Sequence, residues 1–339
     1  MAYNDRILNH EDGMRIANAL EQIANQRVRG YRLYGFHFDN NESDPSAKIT
    51  YLENAVGAVP AHMDYTNGVF DYGSWMNAFF MPRPCMVKYG GQVDYYLNPE
   101  NYAQKVDGTP SDVANEAYEG NAMMEWGSDG KKFWMKIVPD TSGASVYFSD
   151  IQVDSTFHAY AFYNKNNVLM DHFYTPIYNG YKDASGKMRS ISGKAISNSL
   201  SGTAEITACT ANGEGWYTEC IVDRMLINML LILISKSTST QSIFGQGMTS
   251  GSESAMKAYL TGSLDAIGMF YGYSATDKAV KVFGMENYWG CQWRRHAGLI
   301  QKGGKAYYKL TRGTADGSTA TDFNTDGAGY IEHSGSLPA

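Results

Sequence analysis

Along residues 12–27 the apolar positions Ile16, Leu20 and Ile23 fall at i, i+4 and i+7, with Asn18, Glu21, Gln22 and Asn25 opposite. This spacing predicts an amphipathic helix of about four turns. One stripe of three residues fits both a cap on the main domain and pairing with copies of itself. After Gly30 the period changes to two. Residues 31–38 (Y-R-L-Y-G-F-H-F) and 49–52 read as strands, separated by a polar stretch that contains Pro45. Residues 85–89 and 92–97 flank Gly90 and Gly91, a two-residue link suited to a primed hairpin turn. Residues 123–126 and 133–138 flank a Ser-Asp-Gly segment and predict a second hairpin, and 145–153 and 157–163 give two more strands. The middle of the chain is therefore expected to be mostly antiparallel sheet.

Residues 221–234 (I-V-D-R-M-L-I-N-M-L-L-I-L-I) are the most apolar stretch. At about 1.5 Å per residue they reach only roughly 21 Å, short of a hydrocarbon core of about 30 Å. Asp223, Arg224 and Asn228 also interrupt them, so the segment predicts a buried core helix. Glu219 and Asp223 near its start and Lys236 beyond its end carry the signs that the helix dipole favours. Residues 185–212 and 238–254 are rich in Ser, Thr, Gly, Ala and Gln and read as loops, the first of them long and at the surface. Short strands are expected at 279–283 and 307–310, then a Gly/Asp/Thr loop from 311 to 329. No repeat of 20–50 residues is visible.

Composition narrows the class. The chain has 339 residues, enough for one large or two ordinary domains, with 43% hydrophobic but only 19% charged residues. With 35 Gly and 25 Tyr against 9 Pro, its surface must be built from Asn, Ser, Thr, Gly and Tyr, as in extracellular recognition proteins and virion proteins. Net charge is −7 and the basic residues form nothing longer than pairs such as Arg294-Arg295, which argues against duplex nucleic acid as a partner. Cys85, Cys209, Cys220 and Cys291 lack any C-x-x-C spacing and are expected to be free thiols. The polar start, Met-Ala-Tyr-Asn-Asp-Arg, does not read as a signal peptide, so folding in the cytoplasm where the chain is made is expected.

Catalytic signatures are missing from the sequence: there is no G-x-S-x-G, no P-loop, no dinucleotide fingerprint and no H-E-x-x-H. The seven histidines include no pair at helical ligand spacing, and they read as packed or surface residues. Asp64 and Asp71 form an acid pair whose separation the sequence does not fix. Asp322, Asn324, Asp326 and Gly327 match the first half of a calcium loop. Position 12 is His333 where a bidentate Glu is needed, so the segment reads as an Asx-turn loop, and no metal is expected. In residues 282–300 Tyr288, Trp289 and Trp293 stand beside Glu286, Asn287, Arg294 and Arg295. That composition suits a sugar or cation–π site, yet Val280, Val282, Phe283, Ala297, Leu299 and Ile300 around it favour tryptophans that plug the core. Ligand contacts are accordingly placed in the polar loop, at Thr311, Asp316, Asp322, Asn324 and Asp326, with a missing C-terminal portion or a partner protein as equal alternatives.

Residues 284–293 (G-M-E-N-Y-W-G-C-Q-W) resemble the G-N-x-W-E-W signature of the formylglycine-generating-enzyme-like branch of the C-type lectin fold. Gly213-Glu-Gly-Trp216 leading into the apolar helix, followed by Thr240-Gln-Ser242 and Gly245-Gln-Gly247, is similar to the corresponding portion of that domain in tailed-phage structural proteins. Tyr34-Gly-Phe36, Ser43-Asp-Pro45, residues 66–71 (T-N-G-V-F-D) and residues 157–162 (F-H-A-Y-A-F) also look like such proteins, and together the motifs span about residues 31–330.

The resemblance implies an α+β fold: an N-terminal helix over residues 1–30, then a C-type-lectin-like domain over 31–339 with a β-rich insertion at about 81–163. The R-G-G-S-W-like strand that precedes the reactive cysteines in the enzyme branch has no counterpart, so the C-terminal part of the fold is expected to be missing. The implied function is that of a non-catalytic structural virion protein, a head or tail fibre, spike or baseplate component, displaying a host-recognition surface. Its implied partners are other virion proteins, copies of itself, and a host-surface glycan or protein. No cofactor, nucleic acid or membrane insertion is expected. The other reading is a stand-alone lectin or carbohydrate-active enzyme.

Overall fold

The computed structural model describes residues 16, 17, 20, 30–127, 132–164, 166–250, 259–290, 292, 294–309 and 330–333. Within these the protein is strand-rich with few helices, in keeping with an α+β class. Ile16, Ala17 and Leu20 are helical and exposed; the rest of the helix expected over 12–27 lies outside the described residues.

Two antiparallel sheets organise the chain. The first has the order β2 (Ile49–Glu53), β1 (Leu33–Asp39), β10 (Gly143–Ser149), β9 (Trp134–Pro139). The second has the order β11 (Phe173–Pro176), β8 (Gly120–Trp126), β5 (Arg83–Lys88), β6 (Val93–Asn98), β7 (Asn101–Lys105). The alternation in β1 and β2 resolves as expected: Phe36 and Tyr51 face each other across the pair and are buried. The β5–β6 hairpin also forms, with Gly91 at φ +87° in its turn.

β3 (His62–Asp64) and β4 (Val69–Asp71) form a separate pair. Asp64 accepts hydrogen bonds from Thr66 N, Asn67 N and Asn67 Nδ2, which, the Asn67 side chain first, hold its carboxyl below the usual range. Asp71 accepts from Gly73 N. Both carboxylates thus serve turns.

Three expectations are corrected. Residues 123–138 do not make a hairpin, because β8 lies between β5 and β11 while β9 pairs with β10 in the other sheet. β8 (G-N-A-M-M-E-W) is buried on both faces and has a partner on each edge, β5 and β11, so no edge is left for β9. Residues 157–163 form a 3₁₀ turn at Tyr160–Phe162 rather than a strand. Phe162 is turned inward against Phe133 and Phe173 there. Residues 185–212 are not simply surface loop either, since Ser190, Ile191, Ser192 and Ile196 are buried and α1 (Gly202–Thr210) forms. Ser201 caps α1 by accepting from Ala204 N, a local signal that outweighs the weak apolar pattern.

α2 (Ile221–Ser235) is the expected core helix, with Ile227, Leu230, Leu233 and Ile234 fully buried. Its last carbonyls would be orphaned in an apolar core. Tyr51 Oη donates to Leu233 O and Ala61 N to Ile234 O, each at 2.7 Å, and Lys236 turns left-handed at φ 51° to end the helix. One hydrophobic core joins α2 to inward residues of both sheets and to Phe270, Val280 and Phe283. A short helix, α3 (Thr240–Phe244), follows in the stretch expected to be loop. Among the described residues no helix is long and apolar enough to cross a membrane.

The remaining strands are short pairs: β12 (Tyr181–Lys182) with β13 (Met188–Arg189), β14 (Lys281–Val282) with β15 (Met285–Glu286), and the ladder β16 (Leu299–Lys302), β17 (Lys305–Tyr308), β18 (Ile331–Glu332). Phe283 and Gly284 between β14 and β15 both have positive φ, 46° and 77°, the signature of a primed two-residue turn.

Candidate functional site

A cleft of about 920 Å³ opens beside β8 and β11, bounded by α1, the segment before α2, and Gln292, Arg294 and Arg295. Its walls carry Tyr174, Asn179, Trp216, Glu219, Arg294 and Arg295 among others, a mixture of aromatic faces, amides and paired charges. Local bonds fix each of them. Trp216 Nε1 donates to Tyr89 O at 2.7 Å, so the indole is anchored while part of it stays exposed. Arg295 Nη1 meets Glu205 Oε1 of α1 at 2.6 Å and Leu200 O at 3.2 Å. Arg294 Nη2 donates to Asn179 Oδ1 at 2.7 Å and to Asn287 O at 2.5 Å.

The base of the cleft is set by a backbone clasp. Ala297 N donates to Glu219 O and Ile221 N to Ala297 O, both at 2.9 Å, bringing the residues before α2 alongside residues 294–297. Glu219 is thereby held near three cationic or titratable groups. His296 Nε2 lies 3.2 Å from its carboxylate, and Arg224 Nη1 and Arg294 Nη1 each lie at 3.8 Å. Burial raises the Glu219 carboxyl, and the His296 contact and the Arg294 charge more than offset this, bringing it down to about 2. Arg224 also stacks on Tyr288, with its guanidinium carbon 3.5 Å from the ring centre.

The groups lining the cleft suit binding. Among the described residues Cys209 is the thiol in its wall, and burial pushes it up to about 12, so it supplies no thiolate at neutral pH. Among the described residues no group of three or more His, Cys, Asp and Glu side chains could hold a metal ion.

A second polar cluster lies beneath β14 and β15. Glu286 accepts from Gly262 N, Leu264 N and Tyr259 Oη. Lys281 Nζ donates to Leu264 O and Ile267 O at 2.9 and 2.7 Å and stands 3.7 Å over the Tyr102 ring. Asp265 accepts from Ser192 Oγ and Tyr178 Oη. These bonds pin residues 259–267 to the core. Burial draws the Lys281 ammonium down to about 7 and raises the Asp265 and Glu286 carboxyls.

Of the aromatic segment singled out in the sequence, Tyr288 is a core residue. Trp289 is half-buried, edge-on to Tyr288 at 5.8 Å, and bonded through Nε1 to Gly245 O. Trp293 and Cys291 lie outside the described residues, as do the loop candidates Thr311, Asp316, Asp322, Asn324 and Asp326. Among the described residues the structure brings together the cleft residues instead, and the loop candidates stay untouched by it. Glu219 reads in the sequence as a helix-dipole charge and Trp216 as one letter of a motif. Only the backbone clasp to Ala297 brings Glu219 and His296 together, 77 positions apart by numbering (296 − 219). The Arg294-Arg295 pair beside aromatic residues was the one available signal.

No protein-family model, curated protein or solved structure matches this chain.

Proposed function

We propose that the protein is a non-catalytic structural component of a tailed-phage particle that presents a recognition surface to the host cell. The observation that carries this reading is the cleft: a concave surface of aromatic, amide and paired ionic side chains, each held by an internal hydrogen bond or ion pair. A preorganised surface of that kind binds at low entropic cost. The ordered set of motifs resembling phage proteins of the C-type lectin fold supports the assignment. In that reading β14, β15 and the residues after them are the formylglycine-generating-enzyme-like segment, with copies of the chain packed together in the particle. Immunogold labelling of purified virions tests the reading. Discrete label on particles is expected, whereas particles that assemble and adsorb normally without the protein overturn it.

A further inference from the structure

We propose that the small cavity beside the cleft is an oxyanion pocket that takes the carboxylate of an acidic sugar. It rests on the recognition reading for its sugar and on the following geometry for its anion. The cavity measures about 200 Å³, room for several water molecules, and it shares Asn179, Gln292 and Arg294 with the cleft. Arg224, Arg294 and His296 line it together with the rings of Tyr288 and Trp289.

One donor in this pocket is unused, while Arg294 is already bonded through Nη2 to Asn179 Oδ1 and Asn287 O. Arg224 and Arg294 share the Glu219 carboxylate at 3.8 Å each, beyond hydrogen-bond range, and Arg224 Nη1 is buried with no hydrogen-bond partner among the described residues. A buried guanidinium nitrogen without an acceptor is costly, and a ligand acceptor removes that cost. Asp223 on the first turn of α2 is a second carboxylate that, like Glu219 and the two arginines, acts on Tyr288, so the cations here already have anionic neighbours. It is directed donor capacity, not excess charge, that selects the ligand. The planar Arg224 fork suits a planar carboxylate, and Arg294, held by Asn179 and Asn287, adds its charge beside it. The adjoining cleft supplies Asn179, Gln292 and the Trp216 face for the hydroxyls and carbons of a ring attached to it.

Isothermal titration of the purified full-length chain with sodium glucuronate, glucose, acetate and sulfate, at ionic strength fixed with sodium chloride, tests the proposal. Glucuronate is expected to bind about tenfold or more tightly than glucose or acetate. Arg224→Gln is expected to weaken it about tenfold, as loss of one charge-assisted bond does. Because Arg224 also stacks on Tyr288, Gln292→Trp provides a second variant: it adds bulk at the rim shared by cavity and cleft, and it too should abolish glucuronate binding while leaving the thermal midpoint unchanged. Equal affinity for glucuronate and glucose, stronger binding of sulfate than of glucuronate, or unaltered binding in a folded Gln292→Trp variant overturns the assignment. This measurement needs no particle, so its failure is distinct from absence of the protein from virions.

Discussion

At the scale of single residues, two glycines with similar backbone angles should behave differently. Gly91 at φ +87° has open space around the position of a Cβ, whereas at Gly284, φ +77°, a Cβ would fall 2.5 Å from Tyr102 Oη and 2.7 Å from Met124 Sδ. Gly91→Ala should therefore cost only the left-handed penalty, about 1–2 kcal/mol. Gly284→Ala adds overpacking of the core beneath β14 and β15, for a total of about 2–5 kcal/mol. Urea unfolding of the two variants checks the order; equal losses would mean that the Tyr102 and Met124 side chains move aside freely. Glu219 makes a prediction in pH. Its folded carboxyl sits at about 2, below the ordinary value of 4.5, so the stability it contributes is present above pH 4.5 and is lost as pH falls toward 2. About 3 kcal/mol of wild-type stability should disappear across that window relative to Glu219→Gln, whose profile should be flatter there. Parallel profiles for the two proteins would show that Glu219 is not held by His296 and the arginines.

Elements differ in how far their own sequence determines them. α2 is legible because its apolar run is unbroken from Met229 to Ile234 and its length excludes a membrane span; β1, β2 and the β5–β6 hairpin are legible because their alternation and turn glycines are local. β8 is misread because sequence proximity to β9 suggests pairing, while burial on both faces requires two other partners, β5 and β11. α1 hides for the opposite reason: G-T-A-E-I-T-A-C-T has little apolar stripe, and its start depends on the Ser201 cap. The cleft is less legible than any strand, because the clasp that joins residues 219–221 to 297 is a pair of backbone hydrogen bonds with no side-chain signature. The weight carried by α2 can be measured. Leu230 is fully buried in the core that both sheets share, and Leu230→Ala should cost about 2–5 kcal/mol by removal of the side chain and the cavity left behind. Loss should appear as one cooperative transition shifted in midpoint; a separate early transition, with the rest of the protein intact, would mean that α2 is not common to both sheets' packing.

For the whole molecule, the question is whether recognition and stability reside in different tryptophans. Trp216 presents part of its indole to the cleft, packs on Cys85, Val87 and Met123 at the margin of the fold and donates to Tyr89 O, while Trp289 packs between Tyr288 and the backbone at Gly247 as well as bonding to Gly245 O. Exchange of a ring that packs on the core removes dispersion and burial on several sides, so Trp289→Ala should cost about 3 kcal/mol. Trp216→Ser should cost about 1 kcal/mol, the order of one hydrogen bond and partial burial. On the proposed virion role the order should reverse in particles: Trp216→Ser should reduce host adsorption while the protein remains folded and incorporated, and Trp289→Ala should reduce adsorption only in proportion to the folded protein lost. A third particle, with Gly and Ser grafted over residues 311–326, separates the cleft from the loop favoured by sequence composition. Unchanged adsorption of that particle together with the Trp216→Ser loss places host contact in the cleft. Normal adsorption by Trp216→Ser, with loss on grafting the loop, places it instead at Thr311, Asp316, Asp322, Asn324 and Asp326, and leaves the cleft without a part in recognition.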